Sequence, residues 1–94
     1  MRLTTDEINV LKNKLHLLSE EAKIFLFGSR TDDNKKGGDI DLLIVSEKLT
    51  KKDIRKLRLD FFDHFGEQKL DIVLDNGNFS SPFTKIIYNK AIQL

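Results

Sequence analysis

Between residues 8 and 18, Ile8, Leu11, Leu15 and Leu18 recur every three or four positions, which lines them along one helical face and leaves Lys12 and Lys14 to solvent. Thr4 stands ahead of that stripe with Glu7 three residues on, a capping-box pair in which each side chain satisfies a backbone donor of the first turn. Residues 19–23 form the exit. Ile24, Phe25, Leu26 and Phe27 are then a continuous apolar run stopped by Gly28, too short for a helix and therefore a buried first strand. Residues 31–38 are polar and end in Gly37-Gly38, the composition of a connection. Residues 39–45 alternate at first, Asp39-Ile40-Asp41, and become wholly apolar, as a central second strand does. Residues 50–65 set Ile54, Leu57, Phe61 and Phe65 on one helical face against a basic remainder, and Gly66 is placed to end that helix. Residues 69–74 read as a third strand, closed by the turn cluster Asp75-Asn76-Gly77-Asn78. Ser81-Pro82 opens a last helix, with Phe83, Ile86, Ile87, Tyr88, Ala91 and Leu94 predicted as its apolar face.

This order predicts an α/β fold with a small three-stranded mixed sheet, order 1-2-3, flanked by helices. The short link between the first two strands suits an antiparallel pair, and the helix between the second and third suits a right-handed parallel crossover. That crossover sets Asp71 on the strand beside Asp39 and Asp41. At 94 residues the chain has the length of a single domain, residues 1–94. A formal net charge of +1 argues against a general polyanion binder, and the absence of cysteine excludes thiolate metal sites and disulfides. No apolar stretch approaches a membrane span, so the expectation is a cytoplasmic protein with no membrane partner.

The chemistry gathers between residues 27 and 42. Gly28-Ser29 follows the first strand and can present backbone N–H groups to an anion. Asp39 and Asp41, two apart on a strand, point to one face, and hard oxygen donors of this kind suit Mg²⁺. Each motif is common on its own. Together with Asp71 at the head of the next strand they describe three carboxylates in one place, which repel one another unless a cation or a bound proton intervenes.

Gly28-Ser29, the spacer, Asp39-x-Asp41 and Asp71 resemble, residue by residue, the pattern of the nucleotidyltransferases of the DNA polymerase beta superfamily. Within it the Gly28-Ser29-Arg30 form and the short chain are similar to the minimal nucleotidyltransferase (MNT) antitoxins. The resemblance implies a polymerase beta-like nucleotidyltransferase fold and transfer of an NMP, AMP from ATP, to a hydroxyl. It implies Asp39, Asp41 and Asp71 as catalytic residues holding two Mg²⁺ ions. It also implies Gly28, Ser29 and Arg30 as the nucleotide-binding residues, with Lys35 or Lys36 as further cations near the phosphates. Because MNT proteins are commonly encoded beside a small HEPN-domain protein, the implied acceptor lies on a HEPN ribonuclease toxin. Two alternatives stand beside this: transfer to a small molecule such as an aminoglycoside, and neutralisation of a toxin by contact without catalysis.

Other residues carry blander readings. His64 has no second ligand near it, since His16 falls in another helix, and it reads as a surface or boundary residue. Phe61, Phe62 and Phe65 have helical spacing, which favours core packing over base stacking. The basic run 48–58 reads first as a solvated helix face and second as a docking surface for RNA or an acidic partner. Apolar residues on more than one side of the last helix leave homo- or hetero-oligomerisation open.

Overall fold

The computed structural model describes residues 3–28, 40–67, 69–79 and 81–94. Helix α1 spans Thr5–Leu18 and begins with the expected capping box: the Glu7 N–H donates to Thr4 Oγ1 at 3.1 Å and the Thr4 N–H to Glu7 Oε1 at 2.9 Å. Strand β1 is Lys23–Phe27 and β2 is Ile40–Val45. Helix α2 covers Lys51–Phe65, opened by Asp53 Oδ2, which accepts from the Thr50 N–H at 2.9 Å, and closed at Gly66, whose φ of 81° a residue with a Cβ rarely adopts. Strand β3 is Leu70–Asp75 and α3 is Pro82–Lys90, with Pro82 in the first turn where its missing N–H costs nothing. Ser81 precedes it, but its side chain makes no capping bond.

The sheet differs from expectation in one respect. Among the described residues it has four strands, in the order β3-β2-β1-β4, where β4 is the two-residue Ile92–Gln93. The 1-2-3 core is as predicted, with β1 and β2 antiparallel and β2 and β3 parallel. Ala91 and Leu94 are not part of the last helix. The chain turns extended at Ala91, Ile92 pairs with Leu26, and the Leu94 N–H donates to the Ile24 carbonyl at 3.0 Å. The outer edge of β1 would otherwise present unpaired backbone groups, and satisfying that edge wins over another half-turn of helix.

The sheet carries helices on both faces. Alternate residues Ile24 and Leu26, Ile40, Leu42 and Ile44 pack against Leu11, Leu15, Leu57 and Phe61 of α1 and α2, forming the main core. Side chains of this size, fully removed from water, each contribute roughly 1.5–3 kcal/mol. On the opposite face α3 packs, where Phe25, Leu43 and Ile87 make a smaller cluster and Tyr88 meets Phe25 edge-on at 5.2 Å. Asp75 ends β3 with its carboxylate folded back on the turn, where Oδ2 accepts from the N–H groups of Gly77 at 2.7 Å and Phe79 at 3.2 Å.

At the N-terminal end of β1, a carboxylate links two turns. Glu21 accepts from Ser46 Oγ at 2.6 Å, from Ser19 Oγ at 2.8 Å and from the Glu47 N–H at 3.1 Å. The Ser46 hydrogen bond, opposed by partial desolvation and helped by Ser19 and the backbone, holds the Glu21 carboxyl below its ordinary range. Among the described residues no helix is long and apolar enough to cross a membrane.

Candidate functional site

Where β1 ends and β2 and β3 begin, the two registers bring the predicted residues together. Phe27 at the end of β1 lies opposite Asp41, and Asp41 lies opposite Asp71 across the parallel pair. Adjacent strands sit about 4.8 Å apart. The carboxylates of Asp41 and Asp71 therefore leave neighbouring strands on the same face, the one that carries Leu43 and Val73 toward α3. Asp41 is half-buried and Asp71 exposed.

Gly28 closes the arrangement from the β1 side. Its φ is +79°, and a Cβ placed on it would fall onto Asp41 Oδ2. Only a residue without a side chain leaves room for that carboxylate. Gly28 was expected as an N–H donor at a turn; its close approach to Asp41 is a second role that the sequence did not announce. It depends on the register of β1 against β2, which a dipeptide motif does not encode.

Gly28, Asp41 and Asp71 are thus the predicted site residues that the structure brings together. Ser29, Arg30 and Asp39, and with them Lys35 and Lys36, lie outside the described residues. Among the described residues no cluster of three or more carboxylate or imidazole ligands occurs. The donor set that is present, two carboxylates side by side with no thiolate or imidazole between them, fits a hard divalent cation such as Mg²⁺. Like charges directly opposite one another on paired strands are otherwise destabilising.

The histidines take no part. His64 lies exposed on α2, with Nδ1 2.8 Å from its own helix's Asp60 carbonyl, and His16 belongs to α1. Phe61 is fully buried in the main core, as its spacing predicts.

A family model for the nucleotidyltransferase domain matches residues 8–92. This chain belongs to the nucleotidyltransferase domain family. No curated protein matches it. The α/β arrangement, a mixed sheet with helices on both faces, is the polymerase beta-like nucleotidyltransferase fold. Membership carries the general activity: this nucleotidyltransferase takes a nucleoside triphosphate as substrate and transfers its nucleoside monophosphate. The pairing of Asp41 with Asp71 occurs within the matched span.

Proposed function

We propose that this nucleotidyltransferase, acting as one domain over residues 1–94, transfers AMP from ATP to a hydroxyl on a partner protein in the cytoplasm, with Mg²⁺ as its cation. The observation that carries the reading is the register that sets Asp41 beside Asp71, with Gly28 leaving space for the Asp41 carboxylate. In this reading Asp39, Asp41 and Asp71 hold two Mg²⁺ ions, and Gly28, Ser29 and Arg30 hold the triphosphate. Magnesium, when bound, offsets the triphosphate's charge and makes the acceptor hydroxyl easier to deprotonate.

The chain's own residues do the rest. Backbone N–H groups at Gly28 and Ser29 fix the anionic oxygens, and Arg30 offsets the charge that accumulates on pyrophosphate as it leaves. The acceptor oxygen bonds to the α-phosphorus as the bond from that phosphorus to the β-phosphate bridging oxygen breaks, and pyrophosphate departs. Asp71, exposed at the head of its strand, takes the hydroxyl proton. The likeness to MNT antitoxins supports a HEPN-domain ribonuclease as the protein that carries this hydroxyl, its modification being the antitoxin function.

The test is transfer of label from α-labelled ATP to a co-purified partner in Mg²⁺. Asp41→Asn, which removes one of two adjacent negative charges, folds as the wild type does by circular dichroism and incorporates no label. Full incorporation by a folded Asp41→Asn protein would overturn the assignment. Tight binding of the partner with no incorporation by the wild type would replace it with neutralisation by contact.

A further inference from the structure

Strand β3 forms one edge of the sheet. Its pairing with β2 begins with the Ile40 N–H on the Lys69 carbonyl and ends with the Ser46 N–H on the Asp75 carbonyl, both at 3.0 Å. In a parallel ladder the residues that bond a neighbour alternate with residues that face away from it. Residues 69, 71, 73 and 75 therefore turn their backbone groups to β2, and Leu70, Ile72 and Leu74 turn theirs to the outer edge. Among the described residues none supplies a hydrogen bond to those outward groups.

Beside that edge lies a cleft of about 400 Å³ between β3 and α2. Ile54, Ile72 and Leu74 supply its apolar lining, and Lys51, Arg55 and Arg58 its charge. None of these three cations has a salt-bridge partner among the described residues. Arg58 Nε, shielded from solvent, meets no acceptor there either. Among the described residues the cleft thus offers donors and positive charge with no anion of its own.

We propose that the β3 edge and this basic rim dock an extended, acidic segment of a partner protein by strand addition. An added strand supplies both acceptors and donors to the outward N–H and C=O groups of Leu70, Ile72 and Leu74, while its carboxylates meet Lys51, Arg55 and Arg58. A phosphodiester backbone has acceptors only. It would satisfy the cations, but RNA's donors, the 2′-hydroxyls and base edges, do not alternate with acceptors at the spacing of a strand's C=O and N–H groups, so the edge favours a polypeptide over RNA. Asp71 lies on this same strand. On the catalytic reading above, the docked chain passes alongside the transfer site; the docking itself does not need that reading, and its test measures binding alone.

The probe is a fluorescein-labelled peptide of about ten residues, the length of a long strand, with glutamate and valine alternating, followed by anisotropy and by amide exchange of the whole chain. The wild type binds it, more weakly as salt rises, and the Leu70, Ile72 and Leu74 amides gain protection. The exposed-site variant Lys51→Glu/Arg55→Glu weakens binding by about tenfold or more. Ile72→Pro removes one outward donor and leaves the β2 ladder intact, and it too weakens binding; should it fail to fold, the charge variant and the protection pattern decide. Three results would each overturn the proposal. One is absence of binding by the acidic peptide. Another is equal binding by a version broken with prolines. The third is preferential binding of a single-stranded uridine oligomer with no protection at the edge. If the wild type binds no peptide and the charge variant self-associates, the cations only guard the edge against pairing with its own copies.

Discussion

Gly28→Ala isolates what the close backbone approach of residue 28 to Asp41 is worth. Two penalties fall on this one methyl group. A residue with a Cβ at φ of +79° costs about 1–2 kcal/mol in backbone strain, and the new Cβ lands on Asp41 Oδ2. Since the carboxylate is the part that can yield, the collision is relieved by moving Asp41. A displacement of about 1 Å at a reacting centre costs on the order of 100-fold in rate. The strain alone lowers the melting temperature by about 4–16 °C, at roughly 4–8 °C per kcal/mol for a domain of this length. Gly66 separates the two penalties. Its φ is 81° and ψ 170°, a region open essentially to glycine, yet a Cβ there meets nothing within 4 Å. Gly66→Ala should therefore lose at least as much stability as the strain in Gly28→Ala accounts for, and keep its nucleotidyl transfer. Thermal melts followed by circular dichroism and label incorporation from ATP, measured on both variants below their midpoints, give the comparison. Equal activity in the two proteins, whether both retained or both lost, would refute the claim that Gly28 acts through Asp41.

Two further outcomes follow from the core and from the turns. Phe61→Ala empties a fully buried position between α1, α2 and the sheet, and costs about 3–5 kcal/mol, read as a large fall in the urea midpoint. The Glu21 carboxyl is held below its ordinary value, so it contributes stability above the unfolded glutamate pKa of 4.5 and loses it as pH falls through the lower folded value. Glu21→Gln should thus be slightly less stable than the wild type at neutral pH and converge with it in acid. The gap is on the order of 1 kcal/mol or less, because this carboxylate is exposed and screened; a gap that widens below the unfolded value would contradict the assignment.

Which features were legible in the chain depends on how far their causes reach. Thr4 and Glu7 specify the start of α1 from three residues apart, and Pro82 sets the start of α3, since both devices are local. Asp41 and Asp71 were legible as neighbours despite twenty-nine intervening residues, because a helix joining two parallel strands crosses almost always in one hand. The end of α3 was not legible. Ala91 and Leu94 keep helical spacing, and what removes them from the helix is an unpaired edge on β1, far away in sequence. Glu21 escaped for a similar reason, since its principal partner, Ser46, is brought near by the β1–β2 register. The same register makes Gly28 and Asp41 meet.

The two ends of the sheet treat their acids differently, and that contrast separates structural carboxylates from chemical ones. Where β2 and β3 finish, Glu21 receives three hydrogen bonds and the buried Asp75 receives two, so both charges are consumed in holding turns. Where β2 and β3 start, the carboxylate of the exposed Asp71 has no hydrogen bond or ion pair among the described residues, and the half-buried Asp41 stands directly opposite it. A fold gains nothing from setting a second negative charge beside the first at that position, and on paired strands such a contact costs about 0.2–1 kcal/mol. The position also requires glycine at residue 28, with the conformational entropy that glycine loses on folding. On the proposed function, these two destabilising choices in one place belong to a site that reaches its favourable state with a cation and a triphosphate bound. Neutralising Asp71 should therefore leave the fold at least as stable while removing the transfer, the opposite of what neutralising Glu21 does at the other end.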